Sequence, residues 1–342
     1  MTVKIFESLG LPSEPVFLAP LAGVSDAPFR RICTRGGADL SYVEMISAPA
    51  LKYNSKKTLQ MLFRHPEEKK LGVQVTAKCT EDMKRAVEIL NRYPFETVDI
   101  NMGCPVRKVV GTGCGAALLR DPEQAYQITK AAVETSARPV SVKIRLGWDR
   151  QSMNYLEIAP AIENAGAVWL TVHGRTRSDD YSREVDLQAL AEIKRAIRIP
   201  VVGNGNIFSR QDYLTMKAVS GVDGVMISRG SLGNPWVFRE VRGDESPTAL
   251  EEWRAWVGDH LKWQQEHYSR EETGVIMLRK QLLWYMTGWP LAKIYKERFS
   301  HVKTFQEVFA ALDEFCSSLT SRAVVHRRLA HPLRHVEEST NP

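Results

Sequence analysis

A disulfide framework is missing from this 342-residue sequence: its five cysteines, Cys33, Cys79, Cys104, Cys114 and Cys316, are odd in number and widely scattered. There is no C-x-x-C pair and no histidine at zinc-ligand spacing nearby, so neither a structural metal nor a catalytic one is expected. Long apolar runs are absent as well. None approaches the roughly 20 residues of a membrane-spanning helix, and the opening M-T-V-K-I-F-E-S-L-G lacks the apolar centre of a signal peptide. A cytoplasmic protein is the expectation.

A large charge of one sign is also missing, since the formal net charge is only +6. Its placement says more than its size. Residues 241–342 hold 14 basic and 14 acidic residues, so the whole excess lies in residues 1–240, with 32 against 26. Within the C-terminal part, Arg279, Lys280, Lys293, Lys296, Arg298 and Lys303 fall in one stretch with Glu297 as its only acid. Arg322, Arg327, Arg328 and Arg334 form another. Solvated helix faces explain such runs, and so does a polyanion-binding surface.

What is present is a regular alternation. Apolar segments at Val16–Ala19, Leu40–Ile46, Leu71–Val75, 97–102, Val140–Leu146, Val168–His173, Pro200–Gly203 and Gly224–Ser228 read as strands, each followed by a helical pattern. The helices run from Asp26 to about Arg35, Lys56–Phe63, from a Thr80 cap to Asn91, Pro122–Ser136, to Ala165, Asp186–Ala196, from Ser209, and near Trp236. Eight such units in about 225 residues predict a closed (β/α)8 TIM barrel, of the α/β class. Residues 247–322 change to tryptophan, leucine and charge at helical spacing, through Trp253, Trp256, Leu261 and Trp263, then Val275–Met286, then a Thr304-x-x-Glu307 capping box. The expected division is a barrel over 1–243, a small all-helical domain over 244–335 and a disordered tail over 336–342.

One stretch organises the rest. In residues 97–122, Val98, Ile100 and Met102 alternate with Asp99 and Asn101, and the strand then breaks at Gly103-Cys104-Pro105. Glycine and proline fix that thiol on a turn at the C-terminal end of a strand, where barrels keep their chemistry. A buried small hydrophobe is the bland reading of any cysteine. Gly111, Gly113 and Gly115 follow, then Asp121-Pro122 and Gln124 open the next helix.

Other polar residues fall at equivalent strand ends: Gln74, Asn101, Lys143 and Arg145, His173 and Arg175, Asn204, and Arg229. The loops Gly203-Asn204-Gly205-Asn206 and Ser228-Arg229-Gly230 follow strands seven and eight, the usual phosphate site of this fold, and imply a phosphate-bearing cofactor. Lys143 would set a positive charge beside an electron-rich ring such as a reduced flavin.

Together the segments L-A-P-L-A-G-V-S-D-A-P-F-R, G-V-Q-V, D-I-N-M-G-C-P-x-x-K-V, G-A-A-L-L, V-K-I-R-L-G-W, V-H-G-R-T-R, N-G-N-I and S-R-G-x-x-G-N-P-W-x-F resemble those of the tRNA-dihydrouridine synthases, in particular the bacterial B-type. The likeness is dense over 16–240 and thinner beyond, through H-Y and M-L-R-K-Q-L-L-W-Y-M. It implies an FMN enzyme that uses NADPH to reduce uridines of the tRNA D-loop, with hydride from flavin N5 to C6 and a proton from Cys104 to C5. It also implies that Pro20, Leu21, Ala22, Gln74, Lys143, His173, Asn204, Gly205, Asn206, Ser228 and Arg229 hold the flavin. Asn101, Arg145 and Arg175, with His173 beside them, would lie near the uracil or its ribose-phosphate, and Arg279, Lys280, Lys293, Lys296 and Arg298 would meet tRNA.

An ordinary thiol, with a pKa of about 8.5, is protonated at neutrality and able to act as the acid. Leu21, Asn206 and Ser228 stand where the family commonly has Met, Asp and Gly. The expected partner is tRNA, with no membrane and no metal, and the chain is expected to act as a monomer. Two other readings remain open: an FMN barrel reductase of a small pyrimidine, similar to dihydroorotate dehydrogenase, and a non-catalytic tRNA-binding protein.

Overall fold

The computed structural model describes residues 4–320 apart from 54, 246 and 248. The expected tail, and Arg322, Arg327, Arg328 and Arg334, lie outside the described residues.

Eight parallel strands alternate with helices. After a short α1 (Lys4–Ser8) come β1 (Val16–Leu18), α2 (Ala27–Arg35), β2 (Ser41–Ser47), α3 (Ala48–Lys52), α4 (Lys56–Met61), β3 (Leu71–Thr76) and α5 (Thr80–Leu90). Then follow β4 (Thr97–Met102), α6 (Arg107–Val110), a 3-10 turn over Gly115–Arg120, α7 (Pro122–Thr135), β5 (Val140–Arg145), α8 (Tyr155–Asn164), β6 (Leu170–His173) and α9 (Leu187–Ala196). The barrel ends with β7 (Val201–Asn204), α10 (Arg210–Ser220), β8 (Gly224–Ile227), a 3-10 turn over Arg229–Ser231 and α11 (Val237–Glu240). Hydrogen bonding runs continuously from β1 through β8, β7 and so on to β2. The last seam is bridged just before β2, where Leu18 N donates to Leu40 O at 2.9 Å and Asp39 N to Val16 O at 3.0 Å.

Every residue of β4 is buried. Val98, Ile100 and Met102 belong to the large apolar cluster, while Asp99 and Asn101 lie on the opposite face, as parallel barrel strands with two covered sides require. The N-terminal end of the barrel is plugged. Phe6 of α1, Phe17, Tyr42 and Trp169 meet edge-to-face or tilted with centroids 5.8–6.3 Å apart, contacts worth about 1 kcal/mol each. Gly72 leaves room for Tyr42, whose ring would lie 2.6 Å from an added Cβ. Only the C-terminal end stays open for chemistry.

The helix caps are close to expectation. Asp26, Asp121 and Asp186 each accept from the backbone N–H three residues on. Two details differ. Gln124 does not complete its capping box but donates to Lys78 O at 2.8 Å, and the cap of α5 is Cys79, with Thr80 the first helical residue.

Four helices follow the barrel: α12 (Leu250–His267), α13 (Glu271–Tyr285), α14 (Ala292–His301) and α15 (Phe305–Thr320). Trp253, Trp256, Leu278, Leu282, Phe299 and Phe315 are buried and continue the same apolar cluster that lines the barrel helices. Asp26 fastens the two parts: beyond capping α2 it accepts from Gln264 Nε2 at 3.1 Å and from Tyr268 OH at 3.0 Å. Gln281 of α13 donates to Val24 O at 3.2 Å. Among the described residues no helix is long and apolar enough to cross a membrane, and no group of three or more metal-type ligands occurs.

Candidate active site

The parallel register decides which side chains meet inside the barrel. Gln74 pairs with Asp99, and Asp99 with Ser141. Two residues toward the C-terminal end Asn101 pairs with Lys143, and two further along β5 Arg145 pairs with His173, and His173 with Asn204. Polar residues two apart on neighbouring strands therefore stack into layers that rise to the open end.

Around that end lies one cleft, lined by Pro20, Leu21, Ala22, Gln74, Asn101, Cys104, Lys143, Arg145, His173, Asn204, Gly205, Asn206, Ser228 and Arg229. It thus gathers the catalytic and flavin-binding positions expected from sequence. Asn101 and Arg145 join them, and Arg175 does not. Arg175 is fully buried behind the wall, donating to Arg183 O at 2.7 Å, Tyr181 O at 3.2 Å and Asn206 Oδ1 at 3.0 Å. Its guanidinium braces the loop after β6 from outside the cleft lining.

Cys104 is part-buried at the cleft wall. Its loop is held from several sides. Asn101 Oδ1 accepts from Cys104 N at 2.9 Å and Gly103 N at 3.2 Å; Arg145 Nε donates to Gly103 O at 3.0 Å; Ala116 N donates to Cys104 O at 3.0 Å. Gly115 sits against it at φ 60°, and an added Cβ there would lie 2.8 Å from Cys104 O. Of the three alternating glycines, Gly113 and Gly115 have positive φ, while Gly111 closes α6 in ordinary helical geometry.

Burial, and then the nearby Arg145, lowers Lys143 to a pKa of about 8, and its Nζ donates to Asn204 Oδ1 at 3.0 Å. Burial first, and then the charges of Arg145, Lys143, Arg175 and Arg229, hold His173 well below the usual histidine range, so its ring is neutral. Arg175 Nη1 lies 3.1 Å from His173 Nε2. Because arginine can only donate, Nε2 accepts and the ring proton sits on Nδ1.

Past β7 and β8, Gly205 has φ 123° and Asn206 φ 51°, and Gly230 has no space for a side chain because an added Cβ would lie 2.1 Å from Ile207 O. Arg229 Nη2 donates to Asn206 Oδ1 at 3.1 Å, and its guanidinium lies 3.8 Å from the Tyr181 ring centroid. Ser228 accepts from Asn204 Nδ2 at 3.1 Å, so its hydroxyl fixes that amide. Backbone that only glycine can follow, with an arginine beside it, fits a phosphate.

Sequence reasoning missed Tyr181, Met45 and Phe208, which also line the cleft. Tyr181 stacks on His173 with centroids 6.4 Å apart; it comes from a loop with no periodicity to mark it.

The cationic candidates of the helical part divide. Arg279 spends Nε and Nη2 on Val302 O at 3.0 and 2.6 Å, Lys296 donates to Thr287 Oγ1 at 2.9 Å, and Arg298 pairs with Glu314. Lys280 and Lys293 stand exposed.

The profile of the Dihydrouridine synthase (Dus) family matches residues 17–321. The tRNA-dihydrouridine synthase B of Pasteurella multocida is 36% identical over 306 residues, covering 88% of this chain and 92% of that protein. That of Pseudomonas aeruginosa is 36% identical over 310 residues, with the same coverage of 88% and 92%. Among solved structures, the old yellow enzyme homologue from Zymomonas mobilis superposes with a TM-score of 0.52 at 11% identity, over 70% of this chain and 92% of that one, a likeness of fold. On the profile match and the relatives' coverage, this chain is an enzyme of the dihydrouridine synthase family.

Proposed function

We propose that this enzyme reduces uridines of tRNA, in the D-loop, to 5,6-dihydrouridine, with FMN as cofactor and NADPH as reductant. The observation that carries the proposal is the sharing of one cleft by a thiol on a braced turn and a phosphate-type cradle with a lysine at its side. The donor set fits FMN. Asn204, Gly205, Asn206, Ser228 and Arg229 would take its phosphate, and Pro20, Leu21, Ala22, Gln74, Lys143 and His173 its ring system. When bound, FMN supplies the hydride.

The chain's own groups then do the remaining work. Cys104 holds a proton at Sγ and delivers it to C5 of the uracil. Asn101 and Arg145 line the same cleft and would be the polar contacts for the base. Neutral His173, with its proton on Nδ1, adds no charge to a cleft already lined by cations. Lys143 offers a positive charge to an electron-rich ring.

A uridine stacked in tRNA must be extracted at a cost of a few kcal/mol, which contacts elsewhere offset. The helical part from residue 244 on, with Lys280 and Lys293 exposed, is the proposed tRNA-binding domain, and the barrel over 1–243 the catalytic one. A monomer in the cytoplasm, where tRNA is, completes the proposal.

Unmodified tRNA incubated with the purified flavin-loaded protein and NADPH should gain dihydrouridine, read by mass spectrometry. Turnover of free pyrimidines with none of tRNA would favour the small-molecule reductase instead. A colourless protein that binds tRNA would favour a binding role.

A further inference from the structure

Asp99 stands outside the cleft lining, fully buried in the barrel, and the chemistry outlined above leaves it without a task. Its two oxygens are both occupied: Gln74 Nε2 donates to Oδ2 at 2.7 Å and Ser141 Oγ donates to Oδ1 at 2.6 Å. From Gln74 the chain of bonds continues toward the reactive turn. Asn101 Nδ2 donates to Gln74 Oε1 at 2.8 Å, and Asn101 Oδ1 accepts from Cys104 N and Gly103 N.

A primary amide has an oxygen end and a nitrogen end of nearly equal size, so an isolated Gln or Asn fits its pocket either way round. Here neither can turn. Burial pushes the pKa of Asp99 up to about 6, so at neutral pH it is still an ionised carboxylate that only accepts, and Gln74 must offer nitrogen to Asp99 and hence oxygen to Asn101. Asn101 must then offer nitrogen to Gln74 and oxygen to the turn. At the far end, backbone N–H groups only donate, and they demand the same direction. The four side chains Asp99, Ser141, Gln74 and Asn101 are each at most 8% exposed, so water does not compete for these bonds.

We propose that Asp99 is a positioning residue for Cys104: as the fixed, buried anchor of Gln74 it holds the Asn101 amide in place, the acceptor on which the Cys104 turn hangs. This deepens the proposed function and rests on the reading of Cys104 as the proton donor. The carboxylate lies two residues before Asn101 and five before Cys104 in sequence, yet it acts across the sheet, through β3 and back to β4.

The test uses the flavin-loaded protein and three substitutions. Asp99→Leu removes the acceptor; Asp99→Ser puts an exchangeable water in place of the fixed charged acceptor, and serves if leucine prevents flavin loading. Asp99→Asn can keep an oxygen toward Gln74, with Ser141 turning to accept from its nitrogen.

In single-turnover measurements, reduction of uridine by pre-reduced enzyme should slow at least about tenfold in Asp99→Leu and Asp99→Ser and recover to within about threefold of wild type in Asp99→Asn. Reduction of the flavin by NADPH should change by less than about threefold in all. Independently of turnover, hydrogen exchange at the amides of 103 and 104 should quicken in the Leu and Ser variants while the neighbouring strands stay protected. Equal slowing of both half-reactions, or unchanged uridine reduction and amide protection in Leu and Ser, would overturn the inference. Cys104→Ala run alongside separates the two readings. If that variant still reduces uridine at full rate, the role of Cys104 itself is wrong; if it is slow while the Asp99 variants are not, only the role of Asp99 is.

Discussion

Lys143 shows how one side chain couples burial to function. Its ammonium loses hydration inside the barrel and faces Arg145, which together bring its pKa to about 8. The folded value lies below the ordinary lysine value of 10.5, so the folded, flavin-free protein sheds this proton first as pH rises. Flavin affinity should therefore weaken above about pH 8, by at most roughly tenfold per pH unit, since one proton is linked. Titration of apoprotein with FMN between pH 7 and 9 would read it, and Lys143→Met should flatten the profile. Affinity that is level with pH in wild type would contradict a charge role for this residue.

The residues of the cleft were readable from sequence where their strand end announced them, as with Gln74, Asn101, Lys143, His173 and Asn204. Strand periodicity and the fold fix where such positions point. Arg175 falls outside the cleft lining because a two-residue offset from His173 does not reveal that the following loop folds back over it and takes up its Nε and Nη2. Asp99 was seen as polar, but its partners are set by register with β3 and β5, and register is not visible within one strand.

At the scale of the element, the Cys104 turn depends on close approach more than on flexibility. Gly115 meets it with φ 60° and room for no side chain toward Cys104 O. Close packing is what β4 and its 3-10 turn require there. Gly115→Ala combines a left-handed conformation with a collision against backbone, and should cost about 2 kcal/mol or more of stability. Thermal unfolding would measure the loss. Uridine reduction should fall further than flavin content, because the displaced atoms are those of the cysteine.

The eight β/α units were legible throughout, since alternation and cap residues are local signals. The short helices α3 and α6 were not: four or five residues carry too little pattern to separate them from a turn.

Over the whole molecule, barrel and helices share one apolar cluster, and Asp26 serves both by capping α2 while holding Gln264 and Tyr268. The helical part is thereby fixed beside the loop that follows β1, near Leu21 and Ala22 at the cleft edge.

Its charges are partly structural, and composition could not separate the two kinds. Arg279 and Lys296 are tied within the bundle and Arg298 sits in an exposed pair with Glu314, whereas Lys280 and Lys293 are exposed and the most direct of the expected phosphate contacts. Reversing both, as Lys280→Glu with Lys293→Glu, should weaken tRNA binding by roughly tenfold or more and lower the slope of log affinity against log salt by about 1.5. Filter binding across a salt series would read both. An unchanged slope would move the tRNA to another face.

The central claim is that Cys104 donates the proton that completes uracil reduction. Pre-reduced Cys104→Ala enzyme, mixed with unmodified tRNA in a single turnover, should retain its flavin and form dihydrouridine at least about a hundredfold more slowly than wild type. Formation at the wild-type rate would contradict it.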